Sequence, residues 1–66
     1  MTDDLMLTDE VARLIRKPPG TLRYYRHLGT GPASFKLGRR IVYRRAVVLA
    51  WLEAQEQADP RTVAAS

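Results

Sequence analysis

A chain of 66 residues is one domain at most, and folding at this size buries only roughly 60% of the unfolded surface. That leaves little room for a catalytic pocket with its supporting shell. With no cysteine and a single histidine, His27, disulfides and thiolate or multi-histidine metal sites are excluded.

The net charge is +4 and the isoelectric point about 10.1, which points to a polyanionic partner. Its distribution says more. No acid lies between Glu10 and Glu53, while that stretch holds Arg13, Arg16, Lys17, Arg23, Arg26, Lys36, Arg39, Arg40, Arg44 and Arg45. The acids are confined to the two ends: Asp3, Asp4, Asp9 and Glu10, then Glu53, Glu56 and Asp59. A surface built only for solubility would intersperse the signs. No stretch is apolar over a membrane-spanning length, and the N-terminus lacks the order of a signal peptide. The expected home is the cytoplasm.

Residues 1–6 read as a polar lead-in. Thr8 is a candidate N-cap, with Asp9 and Glu10 in the first turn where their charge favours the helix dipole. Val11, Leu14 and Ile15 recur at helical spacing, so a helix is expected over 8–16, with Leu7 packing just outside it. Pro18 and Pro19 stop it, and Pro19 also suits the first position of a second helix over 19–28. The run Gly29-Thr30-Gly31-Pro32 ends that helix. Only Arg16-Lys17-Pro18 separates the two, a turn short enough to force a helix-turn-helix crossing.

Residues 34–43 alternate instead. A three-residue loop, Gly38-Arg39-Arg40, would face Leu37 with Ile41 and Phe35 with Tyr43. That register collects four apolar side chains on one face and leaves Lys36 and Val42 on the other. It is therefore preferred over a two-residue loop, which would pair Leu37 with Arg40. A last helix follows over 45–57. Val48, Trp51, Leu52 and Gln55 line its stripe, Val47 and Leu49 widen it, and Trp51 is expected as the largest core contribution. Residues 1–57 then form the domain and 58–66 a flexible tail. The fold expected is mostly α with a small β-hairpin, a winged helix-turn-helix.

On a helical wheel, Leu22, Tyr25 and Leu28 turn toward the first helix and Trp51. Gly20, Arg23, Tyr24 and His27 turn outward, with Arg26 on the flank and Thr21 near the buried edge. Such a face suits the DNA major groove, where arginine reads guanine bidentately. Gly20 brings backbone close to a phosphate at the helix N-terminus. Arg39 and Arg40 at the hairpin tip suit a narrow minor groove, with Lys36 beside a phosphate. Arg16, Lys17, Arg44 and Arg45 are further candidates for the backbone. With roughly six phosphate contacts, binding should weaken by ~10³-fold between low and moderate salt.

Leu7-Thr8-Asp9-Glu10-Val11-Ala12 and the Pro-Gly-Thr-Leu-Arg-Tyr-Tyr run at 19–25 resemble the DNA-binding half of the MerR family. The stretch from Phe35 to Arg45, with Ala50-Trp51-Leu52, resembles the excisionase and AlpA-type branch of the same fold. The resemblance covers about residues 5–54. It implies cofactor-free binding to double-stranded DNA, with Arg23 and Tyr24 as contacts. Full MerR regulators continue into a dimerisation helix and an effector domain. This chain stops first, so effector sensing is not expected. The sequence departs from these relatives at Pro18, which cannot cap with a side chain, and at Val47 and Leu49, where relatives carry polar or acidic residues. Those two either widen the core or contact a neighbouring protomer or an integrase.

The function implied is that of a phage or prophage excisionase, a recombination directionality factor acting in a bacterial host and associated with the nucleoid when bound. It would bind attachment-site DNA in tandem, bend it and direct integrase toward excision. The alternative is a small AlpA/MerR-like transcription regulator. A third reading is a protein-binding module whose basic face takes an acidic partner. Catalysis is not expected, since the central region has no carboxylate pair, Ser/His/Asp set or phosphate-cradling Gly-rich loop.

Overall fold

The computed structural model describes residues 4–61. In chain order its elements are β1 (Leu5–Leu7), α1 (Thr8–Ile15), α2 (Pro19–Leu28), β2 (Phe35–Leu37), β3 (Arg40–Arg44) and α3 (Arg45–Ala58). The helices lie where the sequence places them, within a residue at each end. Of the expected tail, Ala58 closes α3 and a turn follows through Arg61, while residues 62–66 lie outside the described residues.

The lead-in is more than polar chain. Leu5–Leu7 form an edge strand antiparallel to β3, giving a three-stranded sheet of order β1-β3-β2. Leu7, rather than Thr8, is the N-cap of α1, and its backbone N–H donates to Glu10 Oε1 at 2.7 Å. Three residues are too few for a readable alternation, and the pairing partner lies far along the chain. Sequence periodicity carries no trace of this strand.

The hairpin adopts the register that sequence reasoning set aside. Its loop has two residues, and the cross-strand partners are Leu37↔Arg40, Lys36↔Ile41 and Phe35↔Val42. Gly38 has φ 64°, and Arg39 is not left-handed, which is the two-residue arrangement with glycine first. A three-residue loop would have put Arg40 in the left-handed region, a cost the glycine avoids. The expectation failed because it assumed one buried face. With β1 alongside, both faces of β3 gain cover: Tyr43 is 2% and Val42 4% exposed. Ile41, Tyr43 and Met6 share the inner face with Lys36. Leu5, Leu7, Val42, Phe35, Leu37, Arg40 and Arg44 share the outer one.

The core lies between α1, α2, α3 and the inner face, built from Met6, Val11, Ala12, Leu22, Tyr43 and Val48. Trp51 is not at its centre. It is half-buried at the edge, where its indole N–H donates to the Thr30 carbonyl at 3.2 Å and its ring tilts against Tyr25 at 6.2 Å. It fastens α3 to the loop after α2. Leu28, expected inside, is 52% exposed, because Gly29 ends the helix before another element can cover it. Val47, Leu49 and Gln55 are exposed, so they do not widen the core stripe. A Cβ on Gly31 would lie 2.8 Å from that of Tyr25, so glycine there lets the loop close over the ring.

Both helices of the pair end in a left-handed residue with paired 6→1 and 5→2 hydrogen bonds. In α2 that residue is Gly29, with Thr30 N–H to the Tyr25 carbonyl and Gly29 N–H to the Arg26 carbonyl. In α1 it is Arg16, at φ 62°, with Lys17 N–H to the Ala12 carbonyl and Arg16 N–H to the Arg13 carbonyl. This turn, not the proline pair alone, stops α1. A side chain in the left-handed region costs roughly 1 kcal/mol, partly offset by the greater unfolded-state freedom of glycine. Arg16→Gly is accordingly expected to raise Tm by a few degrees in calorimetry, for a gain of about 0.5 kcal/mol. A lowered Tm would show that the arginine side chain holds the turn by contacts of its own. The whole is a winged helix-turn-helix: α1 and α2 form the crossed pair, and β2–β3 the wing.

Candidate nucleic-acid interface

α2 begins without a side-chain cap. Pro18 precedes it in extended conformation, Pro19 occupies the first position, and the Thr21 N–H reaches the Pro18 carbonyl at 3.0 Å. Proline at the first position sets φ for the helix and has no N–H to leave unpaired. Leu22, 1% exposed, anchors the helix to the core. That anchor fixes which side faces out. Gly20, Arg23, Tyr24, Arg26 and His27 are exposed, Tyr24 to 61%, and Thr21 is half-buried.

The wing stands across from this helix. Arg23 and Arg26 of α2, together with Arg39 and Arg40 at the wing tip, line one cleft of about 390 Å³. Arg26 is steered by its Nε donating to Ser34 Oγ at 3.1 Å, which ties α2 to the base of the wing. The side chains of Arg23, Arg39 and Arg40 make no hydrogen bond or ion pair with a described residue. Four guanidinium groups around one concavity, with the single carboxylate of Asp9 beside them, leave a net positive charge that attracts an anion. Ile41 and Tyr43 of the sheet also line the cleft, with Leu7 and Thr8 at the start of α1.

The other expected residues divide. Tyr24 and His27 are exposed on α2 but do not line the cleft. Lys36 is exposed on the inner face opposite Ile41, not on the outer face where the three-residue loop would have put it. Arg16 and Lys17 are exposed in the turn between the helices. Arg44 lies on the outer sheet face with its guanidinium 5.7 Å from the centre of the Phe35 ring. Arg45 borders a depression shared with Asp4 and Glu10, an acidic setting unlike that of the cleft. Val47 and Leu49 are 36% and 43% exposed on α3.

Sequence reasoning missed the rest of the lining, Leu7, Thr8, Asp9, Ile41 and Tyr43, of which Asp9 is the charged member. Asp9 lines the cleft beside the four arginines. Both Asp9 and Glu10 read as first-turn acids serving the helix dipole. Only Glu10 closes back on the N-cap, which leaves the Asp9 carboxylate exposed in a basic concavity.

The family model of the helix-turn-helix domain matches residues 5–56. The chain belongs to the helix-turn-helix domain family. No curated protein and no solved structure matches it. The matched span runs from the first residue of β1 to near the end of α3, so the helix-turn-helix domain here includes the wing and the edge strand. Its family places the chain among small DNA-binding domains. Among the described residues, no helix is long and apolar enough to cross a membrane.

Proposed function

We propose that this helix-turn-helix domain binds double-stranded DNA at two points and acts as an excisionase, a directionality factor for phage or prophage recombination. The observation that carries the DNA reading is the cleft in which Arg23 and Arg26 of α2 meet Arg39 and Arg40 of the wing. In this reading α2 enters the major groove. Arg23 reads a base edge, and Tyr24, His27 and Arg26 flank it, with Gly20 and Thr21 at the phosphate beside the helix start. Arg39 and Arg40 enter the adjacent minor groove and Lys36 meets its backbone. Arg16, Lys17, Arg44 and Arg45 add backbone charge at the periphery.

The excisionase role is supported by the resemblance of the wing and the last helix to that branch. Val47 and Leu49 serve as the contact to a neighbouring copy bound in tandem or to an integrase. Their exposure on α3 supports this over a core role. The Pro19–Tyr25 run supports the second reading, a small MerR-like or AlpA-like transcription regulator. An in vitro excision assay with a cognate integrase separates the two. Excision that depends on added protein is the expected result. Unchanged recombination, with repression of a neighbouring promoter, would move the assignment to the regulator.

A further inference from the structure

One exposed apolar residue sits where neither the core nor the proposed base-reading face uses it. Leu37 is the last residue of β2 before the wing's two-residue turn, and it is 53% exposed. The register sets it directly opposite Arg40 on the outer sheet face, with Gly38 and Arg39 forming the tip beside it. Its apolar neighbours on that face are otherwise placed. Phe35 is covered in part by the Arg44 guanidinium, Val42 is buried, and Leu5 lies on the far edge strand. Leu37 is thus an apolar side chain flanked by the cations Lys36, Arg39 and Arg40.

A duplex offers little apolar surface in its minor groove until a base step opens and exposes the faces of the stack. Arginines that draw a hairpin tip into that groove carry along whatever is fixed beside them. The tip is a two-residue turn whose first residue, Gly38, adds no side chain and stands in open space. The stem is braced by pairing to β3, which is itself held on its other side by β1. We infer that Leu37 is an apolar wedge, which enters a base step beneath the wing and kinks the DNA there. The inference rests on the DNA reading above and adds to it a cause of bending. Flexible pyrimidine–purine steps, which unstack most easily, are the steps it would select.

The test uses the full chain and the duplex that it retains from a random pool at low salt, with bend angle measured by end-to-end energy transfer. Leu37→Ser is expected to keep the fold, because Leu37 lies outside the core, and to keep the salt slope. It should lose most of the bend and about tenfold in affinity, the scale expected for losing part of one leucine's burial. Leu37→Met should retain the bend. Two unpaired nucleotides placed under the wing should restore the affinity of Leu37→Ser, since the kink is then already present. A straight duplex with the unsubstituted protein, or an unchanged bend with Leu37→Ser, overturns the wedge while leaving DNA binding intact. Failure to retain any duplex at low salt overturns the DNA reading itself, and the wedge with it.

Discussion

Leu22→Ala should abolish the cooperative thermal transition near room temperature, whereas Leu28→Ala, the same change on the same helix, should shift it by little. Leu22 is 1% exposed and belongs to the core, while Leu28 is 52% exposed at the helix end. Truncating a buried leucine costs about 3–5 kcal/mol, because the lost transfer energy is joined by that of the cavity. A chain of this length has a total stability of roughly 3–10 kcal/mol, so the loss consumes much or all of it. The change at Leu28 removes a side chain already half in water, from a helix that prefers alanine, and should stay within about 0.5 kcal/mol. Circular dichroism during a temperature ramp decides it. Equal losses at the two positions would mean that Leu28 is covered in solution, by a second copy or by a different packing of α2.

The second large effect concerns how the two halves of the cleft divide their labour. Arg23→Ala should weaken binding to the selected duplex by roughly 1–3 kcal/mol and relax discrimination at one base pair, as expected where a guanidinium reads a base edge. Arg39→Ala together with Arg40→Ala should weaken matched and scrambled duplexes by similar factors and lower the salt slope by about 2, one for each charge withdrawn from the groove. Fluorescence anisotropy on matched and scrambled duplexes over a range of salt separates the two signatures. A loss at Arg23 that is equal for every sequence would move that residue to the backbone class. Salt-independent binding would remove the electrostatic account of the cleft altogether.

What the sequence made legible was whatever is decided locally. The bounds of α2 follow from Pro19 at one end and Gly29 at the other, both local devices, and they match residue for residue. The outward set on α2 follows from one buried leucine and the helical period. What failed was decided at a distance. β1 exists because β3 is there to pair with it, and nothing in Leu5-Met6-Leu7 announces a partner many residues away. The hairpin register failed for the same reason, since Val42 could be buried only once Leu7 lay beside it. The turn itself held a readable signal, glycine at the first of two loop positions, which the count of apolar residues on one face outweighed. Trp51 was misjudged because size suggested a central place. Its indole N–H needs an acceptor, and the Thr30 carbonyl at the rim supplies one.

The N-terminal strand also bears on how the molecule forms. Leu5 pairs with Arg44, and the Arg45 N–H reaches back to the Asp4 carbonyl at 2.9 Å, so α1, α2 and the wing all lie inside one closed loop. Local contacts alone can form α1 and α2, but the loop closes only after β3 exists, and closing it costs chain entropy first. Arg23 and the wing arginines are therefore locked across the cleft only once the chain has been made through β3. A growing polypeptide on the ribosome carries the basic residues from Arg13 to Arg26 before it carries the grip, and a product cut short there would have charge to adhere to nucleic acid without the geometry to read it.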